Sequence, residues 1–339
     1  MLQTLPLVLF IIMAEVSIGA VAVLVFLDWR NEVKRGFLIS YALIYLVLIG
    51  LTYLVEQNFA TPALLSTYTQ LDKTWTAYQS LPLLLFFLLM IPYNLLLWFD
   101  RSAGVDGRAR IEAARKAEIE AGNTPSARPA RGSTLRTLRL ASGAATVLAG
   151  LLTLFVMAMI YRPLASANLG GAFTVVGFFA SAFALGGVLT AMWLGHWYLV
   201  TPALSEKPLQ FATTLVLAAI FVQVICALSA GPSTAYANKP VAPTSGSTSI
   251  SAAAPSTPVP GTQVQIKPGN TPTVAPLGVD TIGWLRILIG FVLPLALGAL
   301  AWKLIRDRSF QSATGMLYLV VVCTLAGEIL ARGLFLSGL

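Results

Sequence analysis

Eight apolar runs, each close to 20 residues or longer, constrain this 339-residue chain more than any other feature. They fall at about 5–27, 37–55, 81–99, 140–161, 173–199, 209–230, 282–305 and 314–337. A helix needs roughly 20 apolar residues to cross the hydrocarbon core of a bilayer. The runs therefore predict an all-α polytopic membrane protein with eight transmembrane helices. Composition points the same way: 57% of the residues are hydrophobic and 11% charged, where a soluble domain carries about a quarter charged.

Charge distribution sets the orientation. The first charge is Glu15, inside the first run, and the basic cluster "DWRNEVKR" (28–35) follows that run. This order argues against a cleaved signal peptide and for a first helix whose N-terminus lies outside. With the loops after helices 1, 3, 5 and 7 inside, sixteen of the 22 Lys and Arg residues fall on the inner side. The expected topology is N-out/C-out, and the net charge of +8 reads as topology rather than as nucleic-acid binding. Expected partners accordingly include the lipid bilayer and exclude nucleic acid.

The chain is read in three parts: residues 1–230 with helices 1–6, residues 231–281, and residues 282–339 with helices 7 and 8. The inner loop 100–139 carries nine Lys and Arg against five Asp and Glu. Within it "GRARIEAARKAEIEAG" suits a short surface helix with Glu112 and Lys116 at i,i+4 spacing. A basic inner loop of this kind fixes orientation and touches anionic lipid. Residues 231–281 are rich in Pro, Ser, Thr, Ala and Gly, cannot bury a core, and read as a disordered outer linker.

A short echo divides the helices differently. "AEVSIGAV" (14–21) in helix 1 lines up with "SAFALGGV" (181–188) in helix 5. Both helices run from outside to inside, so the echo points to a parallel repeat of two four-helix halves. Gly187, Ala191 and Gly195 recur at every fourth position and would let another helix pack closely on helix 5.

Ionisable residues inside the membrane are the candidates for chemistry. Glu15 lies eleven residues into helix 1, Glu328 two-thirds along helix 8, and Arg332 follows at i+4 on the same face. A charge at a helix centre costs about 2.5–3.5 kcal/mol on insertion scales, so such residues face a bundle interior, a partner or water. One reading places Glu15, Glu328 and Arg332 around a polar pocket in the outer half, where a carboxylate accepts a proton from a quinol hydroxyl. The alternative is a Glu328–Arg332 pair that closes the helix end, with Glu15 protonated on a backbone carbonyl. Asn94, Pro92 and Gln223 read as a kink and interhelical hydrogen bonds.

Two stretches resemble a known family. "LPLVLFIIMAEVSIGAVAVLVFLD" at the start and "ATGMLYLVVVCTLAGEILARGLF" at the end resemble the first and last helices of the DMSO-reductase-type membrane-anchor subunits. More loosely they resemble the polysulfide-reductase/NrfD-like quinone-interacting membrane proteins. The likeness covers about 45 residues, and Gly327, Glu328 and Arg332 form its most useful element. It implies a membrane anchor in the bacterial inner (cytoplasmic) membrane that exchanges electrons with menaquinone or ubiquinone. It also implies an extracytoplasmic iron–sulfur (ferredoxin-like) partner and a molybdopterin catalytic subunit. Within the outer loop 56–80, Asp72, Lys73 and Trp75 would then be docking residues for that partner; the alternative reading of this loop is an aromatic belt at the lipid boundary.

Other function classes fit less well. A proton- or cation-coupled transporter using Glu15 and Glu328 is one alternative, although Pro92 and Pro294 do not fall at corresponding positions of the repeat. A structural or assembly subunit without a site is the other. Bis-histidine haem needs two histidines, and His196 in "MWLGHWYLVTP" is the only one. Cys226 and Cys323 offer no CxxC spacing, so neither haem nor metal is expected on this chain. His196 itself reads as an interfacial side chain at the inner end of helix 5, with a proton path as the alternative role.

Overall fold

The computed structural model describes residues 4–121, 131–165, 171–202, 204–230 and 279–338. Eight long apolar helices account for most of them: α1 (Leu5–Arg30), α2 (Arg35–Phe59), α3 (Ser80–Phe99), α4 (Arg131–Tyr161), α5 (Ala172–Val200), α6 (Lys207–Ala230), α7 and α8 (Phe310–Phe335). The seventh is composite, with an α-helix Val279–Ile287, a π turn Leu288–Val292 and an α-helix Leu293–Arg306. No strand occurs among the described residues. A protein of this kind satisfies its backbone hydrogen bonds within each helix, as hydrocarbon requires. This is a multi-pass, all-α membrane protein, as the eight apolar runs predict.

Helix α1 occupies the centre because it is apolar all round. Its buried residues, among them Phe10, Ile11, Ala14, Ile18 and Leu24, point in every direction, and it packs against α2, α4, α5 and α8. It ends at Asn31, whose left-handed φ of 54° lets its N–H cap the carbonyls of Leu27 and Asp28. By contrast α2 buries Tyr41, Tyr45 and Ile49 on one side and exposes Leu43, Val47, Leu51 and Leu54 on the other. That exposed stripe is a lipid-facing surface. Buried threonines are satisfied locally: Thr52, Thr153, Thr190, Thr213, Thr314 and Thr324 each donate to the carbonyl four residues back.

The helices close into two four-membered rings. In the first, α1 packs on α2, α2 on α3, α3 on α4 and α4 on α1; the second repeats this order with α5 to α8. The rings join mainly along α1 and α5, flanked by α1–α8 and α4–α5 contacts. Gly19 and Gly186, which the sequence echo aligns, face each other at this crossing. A Cβ on Gly19 would lie 1.8 Å from the Ala182 carbonyl oxygen, and one on Gly186 2.1 Å from the Ala20 nitrogen. Only glycine permits backbones this close. The small-residue stripe of α5 admits two close neighbours: Gly187 faces Val216 of α6, while Gly195 faces Thr314 and Leu317 of α8.

Two connections differ from the sequence reading. Helix α4 begins at Arg131, nine residues before the predicted boundary, because Leu135 to Leu140 continue a helical pattern through interspersed charges. Part of the basic loop forms the expected surface helix, Gly104–Glu120, exposed except at Gly104 and Gly107. Its segment 122–130 lies outside the described residues. So does the stretch expected as a linker, except for residues 279–281, which open α7.

Candidate functional site

The ionisable residues of α1 and α8 meet. Glu15 is fully buried, and Glu328 and Arg332 are each 7% exposed. Arg332 donates from Nη2 to Oε1 of Glu15, 317 residues away in sequence, and its Nε lies 3.9 Å from Glu328 Oε2. A bond between the first and last helices is therefore the main ion pair, rather than the i,i+4 pair. Gln223 of α6 donates from Nε2 to Glu328 Oε1 at 2.6 Å and to Ser181 Oγ of α5 at 3.0 Å. The sequence reading treated Gln223 as an isolated hydrogen-bonding residue; here it belongs to the site.

Aromatic rings wall the cluster. The Arg332 guanidinium sits 4.0 Å from the Phe178 ring centroid, a favourable cation–π distance. Tyr161 stacks on Phe178 at 6.0 Å and 9°. Arg286 of α7 packs over Phe291 at 5.6 Å and lies within Coulombic reach of Glu328 and Arg332. Two carboxylates and two guanidiniums thus balance formally. Among the described residues, four buried polar atoms of the cluster have no hydrogen-bond partner: Glu15 Oε2, Arg332 Nε, Arg286 Nε and the Tyr161 hydroxyl. Leaving a buried polar group unmet costs about 1–3 kcal/mol each, which marks these atoms as candidates for contact with water or a ligand.

Glycine positions these groups. A Cβ on Gly327, next to Glu328, would lie 2.2 Å from the Cα of Gly290 in the π turn of α7. Pro294 cannot donate to the Gly290 carbonyl, which breaks the α-helical ladder there, and the π turn occupies this break. The Gly-Glu-x-x-x-Arg pattern therefore holds a close α7–α8 crossing as well as two charges.

The remaining candidates lie elsewhere. His196 is exposed near the end of α5, eighteen residues beyond Phe178, or about 27 Å along the helix. Asp72 caps the short helix Lys73–Thr76 by accepting from the Thr74 N–H at 3.0 Å. Trp75 packs edge-on against Phe155 of α4 at 5.7 Å. Of these three outer-loop residues, Lys73 alone is exposed. Among the described residues, no three His, Cys, Asp or Glu side chains group as metal ligands.

A second buried charge cluster was missed by the sequence reading. Arg139 of α4, fully buried, donates from Nε to Asp28 Oδ2 at 3.0 Å and from Nη1 to Asp100 Oδ2. Tyr93 of α3 donates to Asp28 at 3.2 Å, and the Ser102 N–H donates to Asp100 Oδ1 at 2.9 Å. All three charges sit within one residue of a predicted helix boundary, where they look like ordinary interfacial residues. The triad ties together the C-terminal ends of α1 and α3 and the N-terminal part of α4. Thirteen residues of α1 separate Asp28 from Glu15, about 20 Å.

No protein-family model, curated protein or solved structure matches this chain.

Proposed function

We propose that this protein is an integral-membrane anchor subunit of a respiratory-type oxidoreductase in the bacterial cytoplasmic membrane, exchanging electrons between quinol or quinone and an extracytoplasmic iron–sulfur partner. The observation that supports this reading is the buried Glu15–Arg332–Glu328 cluster with its unmet donors and acceptor. A hydroquinone ring carries two hydroxyls and its oxidised form two carbonyls. Glu15 Oε2 would accept from the first, and Arg332 Nε, Arg286 Nε or the Tyr161 hydroxyl would donate to the second.

Oxidation of a quinol releases two electrons and two protons. The electrons pass to the partner's clusters; the protons need bases at the ring. Arg332 already lies between two carboxylates. Protonation of Glu15 weakens its pairing and leaves the guanidinium to Glu328, and the positive excess this creates favours onward release of the proton. General base catalysis of this sort contributes about 10²- to 10⁴-fold. In the assembled complex, Glu15→Gln and Glu328→Gln should each lower quinol-dependent electron transfer by at least about tenfold. Unchanged rates in both would make these residues structural. Affinity purification with mass spectrometry should recover an iron–sulfur subunit, and a chain that purifies alone would refute the anchor reading.

The Asp28–Arg139–Asp100 triad favours a second reading, a proton- or cation-coupled transporter, because buried ionisable groups then occupy two levels of α1, near its middle at Glu15 and at its C-terminal end at Asp28. Ion flux in proteoliposomes containing this chain alone would establish it over the anchor.

A further inference from the structure

An apolar groove of about 510 Å³ opens on the lipid-facing side of α1, α4, α5 and α6, in the half of the molecule that holds Arg139. We infer that it is a binding site for an anionic phospholipid, with one acyl chain in the groove and the phosphate on a three-cation rim. The basis is helical register. On α1, Ala22 and Phe26 line the groove, and the next position of that stripe is Arg30. On α4, Leu140 and Ala144 line it, and one turn before them stands Arg136. On α6, Phe211 and Leu215 line it, and one turn before them stands Lys207. Residues four apart share a helix face, so these three of the four walls each end in a cation at the same end of the bundle.

The rim carries a positive excess. Arg30 bonds Glu32 at 2.8 Å and lies 5.8 and 5.9 Å from the ring centroids of Phe26 and Phe211, which stack on each other. Arg136 and Lys207 are exposed and make no ion pair with a described residue. Glu206, beside Lys207, is engaged by Arg308 at 2.8 Å. From Ala22 to Trp29 the groove runs about 10 Å along α1, which fits within one leaflet of a hydrocarbon core about 30 Å thick. The lining is apolar throughout, so it suits a hydrocarbon chain, and the charge at its mouth suits a phosphate. The Lys and Arg distribution assigns this end to the cytoplasm, where anionic lipids concentrate.

The full chain, reconstituted in nanodiscs of equal phosphatidylglycerol and phosphatidylcholine and released into mild detergent, tests this by native mass spectrometry. Wild type should retain phosphatidylglycerol in clear preference. Arg30→Gln, Arg136→Gln and Lys207→Gln should each reduce that preference about fivefold, the factor for a cation near an anionic surface. Ala144→Phe, at an exposed groove position, should reduce retention of both lipids. A wild-type preference below about twofold would overturn the proposal, as would a triple Gln variant that retains phosphatidylglycerol like wild type. Recovery of an isoprenoid in place of phospholipid would overturn it too.

Discussion

Replacing Arg139 by Met should be the most destabilising single charge removal in this protein. The guanidinium is fully buried and serves two carboxylates that are themselves at most 1% exposed. Its removal leaves Asp28 and Asp100 together without a cation, and removing one partner of a buried ion pair costs about 3–5 kcal/mol. Asp28 suffers more, since among the described residues its Oδ1 has no partner and Tyr93 is then its only donor, whereas Asp100 keeps Ser102. Asp28→Asn or Asp100→Asn should cost far less, about 1 kcal/mol, because Arg139 keeps a full carboxylate either way. Converting all three together to apolar residues, Asp28→Leu, Arg139→Met and Asp100→Leu, should recover most of the loss, since apolar replacement of a whole buried triad is often neutral. Thermal or denaturant unfolding in detergent can be followed with a thiol-reactive dye, using the free Cys226 and Cys323 of α6 and α8. Arg139→Met within about 0.5 kcal/mol of wild type, or a triple variant no more stable than the single one, would refute the reasoning.

Gly19→Leu and Gly186→Leu should each abolish monodisperse folded protein on size exclusion, because any Cβ there meets backbone within 2.1 Å. Tyr93→Phe should cost about 1 kcal/mol in the same dye assay, the value of one buried hydrogen bond. Gln223→Leu should change the pH profile of quinol-dependent electron transfer and cost about 1–3 kcal/mol in the dye assay, since it removes the donor to the buried Glu328. Outside the membrane, the hydrogen bond from Arg308 holds the Glu206 carboxyl below its ordinary value of 4.5. The tie between those loops is therefore complete above that pH and lost as pH falls through the lowered value. Hydrogen exchange across residues 204–207 should rise in acid in wild type, and should already be high at neutral pH in Arg308→Gln.

What could be read from the sequence follows from cost. Eight spans were legible because long apolar runs have few other uses, and Glu15, Glu328 and Arg332 stood out because charge in hydrocarbon is expensive. Their partnership was only half legible: i,i+4 spacing advertised Glu328 with Arg332, but the closer bond is to Glu15 of α1. Arg139, Asp28 and Asp100 escaped notice because charges at the ends of an apolar run are normal for a membrane helix. Gln223 was read as an interhelical hydrogen bond, as its bonds to Ser181 and Glu328 show, but a lone amide has no periodicity to place it in the charged cluster. The echo aligned Gly19 with Gly186, yet only packing shows that these two residues touch.

The bond between Glu15 and Arg332 also dictates an order of assembly. Synthesis proceeds at about 5–20 residues per second, so roughly 15–60 s pass between the two residues leaving the ribosome. During that interval Glu15 resides in the membrane without its cation, and its neutral, protonated form is the one hydrocarbon tolerates. Insertion of α8 is thus the step that brings Glu15 its cation. A chain that stops short of its final helix carries an unmatched acid in its central helix, a mark by which membrane quality control can distinguish unfinished copies from finished ones.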